Sequence, residues 1–161
     1  MNGILGHWIL ADGVKLPEDF EDNPPLGFIY RITDTVLNKD YIGKKQITRI
    51  ERKPPLKGKV RKRKVVKQTD WKTYTSSCNQ INRAIETRGK DDFKFEILQF
   101  VDTKWELAYF ELYHQIQENV MFREDSYNGI INVRLSKFDK FIKKYTHCQT
   151  FPLNTTDGKN Y

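Results

Sequence analysis

Cysteine, long apolar runs and, in one segment, acidic residues are scarce in this 161-residue chain. Its two cysteines, Cys78 and Cys148, lie far apart without CxxC spacing, so neither a disulfide framework nor a zinc cluster is predicted. No apolar run reaches the roughly 18 residues of a membrane-spanning helix, and the N-terminus lacks a basic region followed by an apolar one. We therefore expect a cytoplasmic protein in a reducing compartment, neither secreted nor bound to a membrane.

The length and composition are those of one globular domain with a hydrophobic core. Hydrophobic residues make up 38% of the chain and aromatic residues 13%. The 28 lysines and arginines outnumber the 21 acidic residues and give a formal net charge of +7. Such an excess of positive charge predicts an anionic partner.

The positive charge is concentrated in residues 44–67, which hold twelve lysines and arginines but only one acid, Glu51. This segment has a net charge of +11, so the rest of the chain carries −4. Pro54, Pro55 and Gly58 predict that its middle is a loop rather than a helix. We expect a mobile basic arm that follows a phosphate backbone, and a solvated charge run or a transport signal are the alternatives.

The residue pattern predicts three strands and two helices. Aromatic and β-branched residues favour strands at 28–33 and 41–47, joined by a turn, and the period-two pattern within 91–101 favours a third. Apolar residues at helical spacing predict a short helix within 76–89 and a longer one within 103–120.

Four short motifs occur in a recognisable order along these elements. "FIY" at 28–30 and "YIG" at 41–43 are separated by ten residues, an "ELxxxE" pattern ends at Glu111, and "YN" occupies 127–128. In these motifs the chain resembles the GIY-YIG nuclease family, which includes homing endonucleases and some restriction enzymes. The first motif departs from the family pattern because Phe28 stands in place of its glycine.

The resemblance implies an architecture as well as a function. It covers Gly27 to about Val133 and implies an α+β fold, with a small three-stranded antiparallel sheet flanked by helices and a basic insertion after the second strand. We accordingly divide the chain into an N-terminal extension (1–26), a nuclease domain (27–133) with its insertion at 48–70, and a C-terminal extension (134–161).

By resemblance, the paired motifs supply part of a phosphodiesterase site. Tyr30 is the candidate general base or water-positioning group, Tyr41 orients water or phosphate, and Gly43 lets the backbone approach the scissile group. A phenol has a pKa of about 10, so a tyrosine acting as a base needs a nearby cation or a metal-bound water. Lys44 and Lys45 are candidate sources of that cation.

The resemblance also implies a metal ligand and a phosphate contact. Glu111 is expected to hold Mg²⁺ or Mn²⁺, with Glu106 as the competing carboxylate, and Asn128 is expected to hold the site together. The family arginine that contacts phosphate has no clear match here. Arg49 has the closest spacing, with Arg52 behind it.

These residues imply a metal-dependent DNA endonuclease acting on double-stranded DNA, with no evident protein partner. A non-catalytic DNA-binding protein on the same scaffold is the alternative. The resemblance further implies a phage or mobile-element context, in a bacterial or phage-infected cell. The residues expected to contact DNA through the basic segment are Arg52, Lys57, Lys59, Arg61, Lys62, Arg63, Lys64 and Lys67.

Overall fold

The computed structural model describes residues 3–136, which form a mixed α+β fold. The predicted C-terminal extension lies almost entirely outside these residues. None of the described helices is long and apolar enough to cross a membrane. The elements are, in chain order, β1 (Ile9–Leu10), β2 (Gly27–Asp34), β3 (Lys39–Gln46), β4 (Thr48–Lys53), β5 (Arg63–Gln68), α1 (Asn79–Arg88), β6 (Phe93–Val101), α2 (Lys104–Gln117) and a 3-10 turn (Val120–Phe122).

The main sheet has four strands in the order β1-β6-β2-β3. Of the three predicted strands, β2 lies between β3 and β6 and pairs antiparallel with both. The prediction of three strands was incomplete, because β1 adds a fourth strand that pairs parallel with β6. A strand of two residues is too short to show periodicity in the sequence, and only its pairing with β6 defines it.

The hairpin formed by β2 and β3 places the FIY and YIG motifs side by side. Tyr30 pairs with Gly43, and Ile32 pairs with Tyr41. The connecting turn is held by the buried Asp34, whose carboxylate accepts hydrogen bonds from two backbone amides of the turn. Asn38 has a φ of 50°, a left-handed conformation that asparagine tolerates better than most residues.

The basic segment forms a second, two-stranded sheet of β4 and β5. The loop expected in its middle lies between Lys53 and Arg63, where Pro54 and Pro55 are found. On either side of this tip, the two strands pair antiparallel in a single register from Thr48 opposite Gln68 onwards. The segment is therefore a β-hairpin with a loop at its end, and the mobility expected of it remains a prediction.

Two hydrophobic clusters cover the two faces of the main sheet. Alternation along β2 sends Phe28 and Tyr30 to the cluster that contains Ile81 of α1, and Ile29 to the cluster that contains Leu107 of α2. The helices therefore lie on opposite faces, and β3 lies at the edge of the sheet between them.

Residues from before position 27 contribute to the α1-side cluster. Trp8 and Phe20 are both buried there, and the Trp8 indole donates a 2.7 Å hydrogen bond to the carbonyl of Trp71. Phe28, which replaces the family glycine, is fully buried with its ring centroid 5.0 Å from that of Trp8. The domain boundaries at 27 and 133 remain predictions.

Candidate active site

A cleft of about 420 Å³ opens at the β3 edge of the sheet. Four of the residues predicted for the site, Tyr41, Lys44, Glu111 and Asn128, line this cleft together. They come from β3, α2 and the segment after the 3-10 turn, so distant parts of the chain meet here. The remaining lining residues are Cys78, Leu112, Gln115, Gly129, Ile130, Ile131, Asn132 and Val133.

Glu111 and Lys44 form an ion pair across the cleft. The Lys44 Nζ lies 2.7 Å from Glu111 Oε2, and the Glu111 side chain is only 18% exposed. The competing carboxylate, Glu106, is buried at the start of α2, where it accepts a hydrogen bond from the Thr103 hydroxyl. The Thr103 hydroxyl in turn accepts from the Glu106 amide, which is a reciprocal helix cap. Glu106 is thus used in capping α2, whereas Glu111 faces the cleft.

Asn128 attaches the segment after α2 to the edge strand. Its Oδ1 accepts a 2.8 Å hydrogen bond from the Ile42 amide, and its Nδ2 donates a 2.8 Å hydrogen bond to the Ile42 carbonyl. Gln115 of α2 donates to the same carbonyl at 3.2 Å. The Asn128 side chain therefore satisfies both polar groups of Ile42 at the sheet edge, as a further strand would. Its amide is a positioning group for the YIG motif.

Tyr41 presents its hydroxyl on the partly exposed side of the hairpin. The hydroxyl forms a 3.0 Å hydrogen bond with Ser77 Oγ. Burial raises the pKa of Tyr41; the hydrogen bond with Ser77 opposes this rise and the charge of Glu111 adds to it. Tyr41 is therefore protonated at neutral pH, so its hydroxyl can both donate and accept a hydrogen bond.

Tyr30 lies in the core and does not line the cleft. Its hydroxyl is buried and forms no hydrogen bond of normal geometry with the described residues. Burial raises the pKa of Tyr30 well above its ordinary value; the neighbouring Tyr74 and Tyr41 raise it further, and the Ser76 side chain opposes the rise. The structure thus brings Tyr41, but not Tyr30, into the cleft.

Gly43 is required by the packing of these two tyrosines. A Cβ at this position would lie 2.6 Å from the Tyr30 hydroxyl oxygen and 2.8 Å from Cε1 of Tyr41. Any side chain at residue 43 would therefore displace one of the rings. Packing within the protein is therefore enough to explain the glycine of the YIG motif. Its predicted role, which is to let the backbone approach a substrate, is separate from this one.

Lys45 and Arg49 are not brought into the cleft. The Lys45 Nζ lies 2.6 Å from Asp70 Oδ1 and 3.8 Å from the centroid of the Tyr74 ring. Arg49 pairs with Glu51 at 2.7 Å on the β4–β5 hairpin. The catalytic roles given to both residues therefore remain predictions without support from the geometry.

The expectation that Lys44 or Lys45 lowers the pKa of a tyrosine remains a prediction. The pKa of Tyr30 and of Tyr41 is raised, chiefly by burial. Each ammonium instead pairs with a carboxylate, that of Glu111 for Lys44 and that of Asp70 for Lys45. Sequence adjacency could not show this, because the partners come from other elements.

The residues predicted to contact DNA all belong to the β4–β5 hairpin and its tip, and none lines the cleft. Their role in binding remains a prediction.

Two residues that hydrogen-bond to the YIG strand, Gln115 and Ser77, were not among the predicted site residues. Gln115 lies four residues after Glu111 and thus on the same face of α2, a spacing that could have identified it. Ser77 carries no comparable signal, because only folding brings it to Tyr41.

The cleft fits a hard divalent cation better than a zinc ion. Glu111 is the acidic residue that lines it, and residues 3–136 contain no group of three or more histidine, cysteine and acidic residues that could hold a metal. Mg²⁺ is commonly bound through one or two carboxylates and keeps several waters, for which this cleft has room. Structural zinc requires four protein ligands and a catalytic zinc three.

Comparison with known proteins agrees with this geometry. The chain matches the family described as "Putative endonuclease segE, GIY-YIG domain" over residues 8–131. This match spans more than half of the chain, and the protein belongs to this family of GIY-YIG endonuclease domains. No curated protein and no solved structure matches the chain. The resemblance drawn from the four motifs is thereby confirmed.

Proposed function

We propose that this protein is a metal-dependent endonuclease that hydrolyses phosphodiester bonds in double-stranded DNA. The observation that carries the proposal is the meeting of Tyr41, Lys44 and Glu111 in one cleft, with Asn128 fixed to the strand that bears the first two. Phosphodiester hydrolysis needs a positioned water, stabilisation of charge on the phosphoryl oxygens and help for the leaving oxygen. The cleft contains groups suited to the first two tasks.

Lys44 is the group that stabilises phosphoryl charge. Its side chain is 37% exposed, so its ammonium can contact a phosphate while it remains next to Glu111. A fixed cation in a partly buried cleft stabilises developing negative charge more strongly than it would in water. We assign the contact predicted for the family arginine to Lys44, because no arginine of the described residues lines the cleft.

Tyr41 is the group that positions the attacking water. Its pKa is raised, so the phenol keeps its proton at neutral pH and acts as a hydrogen-bonding partner rather than as an anion. The hydrogen bond with Ser77 orients the hydroxyl. In this assignment Tyr41 takes the water-positioning role that the motif comparison gave to Tyr30, and Tyr30 supports the Tyr41 ring from the core.

Glu111 is the residue that would hold Mg²⁺ or Mn²⁺. When bound, such an ion polarises a phosphoryl oxygen as a Lewis acid. The Glu111 carboxylate also holds the Lys44 ammonium at the cleft. Glu111 thus has two functions, one toward the ion and one toward the phosphate-binding lysine.

The second candidate is a DNA-binding protein that does not cut. It is favoured by the ion pair itself, since Lys44 already compensates the charge of Glu111. It is also favoured by Arg49, which is paired with Glu51 on the hairpin rather than placed at the cleft. Both candidates bind duplex DNA, and only the first breaks it.

A plasmid assay distinguishes the two candidates. Supercoiled plasmid is incubated with the protein in Mg²⁺, in Mn²⁺ and in EDTA, and binding to a labelled duplex is measured in parallel in EDTA. An endonuclease yields nicked or linear plasmid with a divalent ion and leaves it supercoiled in EDTA. Binding without any strand break in either ion would establish the non-catalytic protein, and absence of binding would refute both.

A further inference from the structure

The β4–β5 hairpin has a fixed cross-strand register that the basic composition alone does not reveal. Its two strands form a sheet of their own, separate from the four-stranded sheet. The pairs run from Thr48 opposite Gln68 to Lys53 opposite Arg63 without a shift. A two-stranded ribbon of this kind presents two faces, because successive side chains of a strand point to opposite sides.

The two faces differ in the chemistry of their residues. One face, called here the Ile50 face, carries the opposed pairs Thr48–Gln68, Ile50–Val66 and Arg52–Lys64. The other, called the Glu51 face, carries the alternate residues. Its members are Arg49 opposite Lys67, Glu51 opposite Val65, and Lys53 opposite Arg63.

Two of the four cations of the Glu51 face are held by the Glu51 carboxylate, whereas neither cation of the Ile50 face is. On the Glu51 face, Arg49 and Lys67 pair with the Glu51 carboxylate at 2.7 and 2.8 Å. On the Ile50 face, Arg52 and Lys64 form no ion pair or hydrogen bond with any residue of 3–136. The donors of the Ile50 face are therefore free to bind an external acceptor.

The Ile50 face also exposes apolar side chains beside these free donors. Ile50 is 62% exposed and Val66 is 66% exposed, and they lie directly opposite each other. Large apolar side chains paired on an open surface often mark a contact site. Phosphate binding alone gives no reason for them, because phosphates offer charge and hydrogen-bond acceptors but no apolar surface.

The major groove of DNA offers partners for both kinds of residue. The groove admits a two-stranded β-ribbon, and its base edges present guanine acceptors to arginine or lysine and thymine methyl groups to apolar side chains. Arg52, Lys64, Ile50 and Val66 are the residue types required for these contacts. The net positive charge of the segment complements the flanking phosphates.

We propose that the Ile50 face enters the major groove of duplex DNA and reads base edges, so that the hairpin determines sequence preference as well as affinity. This inference rests on the proposed function, which makes duplex DNA the substrate. It revises the expectation that the basic segment only follows phosphates, because an ordered ribbon can hold its side chains in register with successive base pairs.

Two single substitutions test the proposal with matched loss of charge. Arg52→Gln removes a cation from the Ile50 face, and Lys53→Gln removes one from the Glu51 face at the next position. Each full-length protein is equilibrated in EDTA with a pool of randomised duplexes, and the bound fraction is sequenced. We expect both variants to bind DNA more weakly than the wild-type protein. Only Arg52→Gln should lose a base preference, with the discrimination between bases at one base pair falling by about fivefold or more.

The apolar pair is tested by a second variant and a modified DNA. In the preferred duplex, replacing thymine by uracil removes the methyl group from the major groove without changing the minor-groove edge. We expect this replacement to weaken binding of the wild-type protein severalfold at one or two positions. The Ile50→Ser/Val66→Ser variant should bind both duplexes equally. Both side chains are exposed, so the melting temperature should be nearly unchanged.

The outcomes separate this inference from the proposed function. If the wild-type protein binds no duplex, the proposed function fails. If it binds duplex with no base preference, or if Arg52→Gln and Lys53→Gln retain identical preferences, only the reading role of the Ile50 face is overturned. Insensitivity of the wild-type protein to uracil at every position overturns the major-groove contact of Ile50 and Val66.

Discussion

The ammonium of Lys44 on β3 lies 2.7 Å from the carboxylate of Glu111 on α2. The pair joins the sheet edge to the helix, and it brings the proposed phosphate-binding group and the proposed metal ligand into the same cleft. Loss of either partner leaves the other charge partly buried and uncompensated, which is costly. The two residues are therefore to be tested with controls for folding and for DNA binding.

The metal assignment predicts that Glu111→Ala lowers the cleavage rate in Mg²⁺ by on the order of 100-fold or more, comparable to the loss of one key stabilising group in other enzymes. Binding to duplex DNA in EDTA should remain, because the basic hairpin is unchanged. Plasmid nicking and a gel-shift titration measure the two effects. Glu124→Ala is the matched control, since this exposed acid lies outside the cleft. Cleavage by Glu111→Ala at the wild-type rate would refute the assignment.

The positions of the two tyrosines predict opposite results for the same chemical change. Tyr41→Phe should abolish most cleavage with little change in melting temperature, because it removes a hydroxyl that lines the cleft. Tyr30→Phe removes a buried hydroxyl that has no hydrogen bond of normal geometry. It should retain cleavage and change the free energy of unfolding by no more than about 1 kcal/mol. Thermal melts and nicking rates of both variants decide this, and loss of activity in Tyr30→Phe alone would restore the role first predicted for Tyr30.

A buried carboxylate outside the cleft is expected to make the free energy of unfolding decrease at acidic pH. Asp34 is fully buried and accepts hydrogen bonds from the Arg88 guanidinium and, at 2.9 Å, from the Tyr127 hydroxyl. Burial alone would raise the pKa of Asp34, but the hydrogen bonds from Arg88, the Leu37 amide and Tyr127 lower it to about 2, from an ordinary 3.8. A carboxylate with a lowered pKa stabilises the folded state above its unfolded pKa and loses that effect as the pH falls.

We therefore expect Asp34→Asn to be less stable than the wild-type protein by about 2 kcal/mol at pH 7. The difference should be complete above about pH 4 and should shrink as the pH falls from 3.8 towards 2. Urea unfolding at a series of pH values measures it. Asp12→Asn, which changes an exposed acid, should leave the profile unchanged. A constant difference between pH 7 and pH 2 would contradict the charged state assigned to Asp34.

The basic tip of the β4–β5 hairpin is expected to make the affinity for DNA depend on salt concentration. The four exposed cations to be changed to glutamine are Lys57, Lys59, Arg61 and Lys62. Each phosphate contact contributes about −0.9 to the slope of log affinity against log salt, so the slope should flatten by roughly two to four units. At low salt and saturating DNA the variant should keep its cleavage rate, since the cleft is untouched. The Ile50→Ser/Val66→Ser variant keeps its charge and should keep the wild-type slope. An unchanged slope in the tip variant would show that the tip does not contact phosphates.

Much of the fold and part of the site could be predicted from local pattern. The hairpin of Phe28–Tyr30 and Tyr41–Gly43, the two helices and the third strand all have a period or a turn signal within a few residues. The grouping of Tyr41, Lys44, Glu111 and Asn128 followed from motifs in a known order. The strand at Ile9–Leu10 could not be predicted, because it is defined by its partner strand rather than by its own sequence.

The sequence by itself determined the charge, the alternation of the main strands and the identity of the residues that can bind phosphate or metal, since these properties belong to single residues or to short repeats. Only the tertiary structure decided which tyrosine faces the cleft, because Tyr30 and Tyr41 carry the same side chain in similar motifs and differ in what packs over them. It likewise decided that Arg49 and Lys67 pair with Glu51 on one face of the hairpin, while Arg52 and Lys64 lie on the other face. That division depends on the register between β4 and β5, a relation between distant residues that composition does not contain.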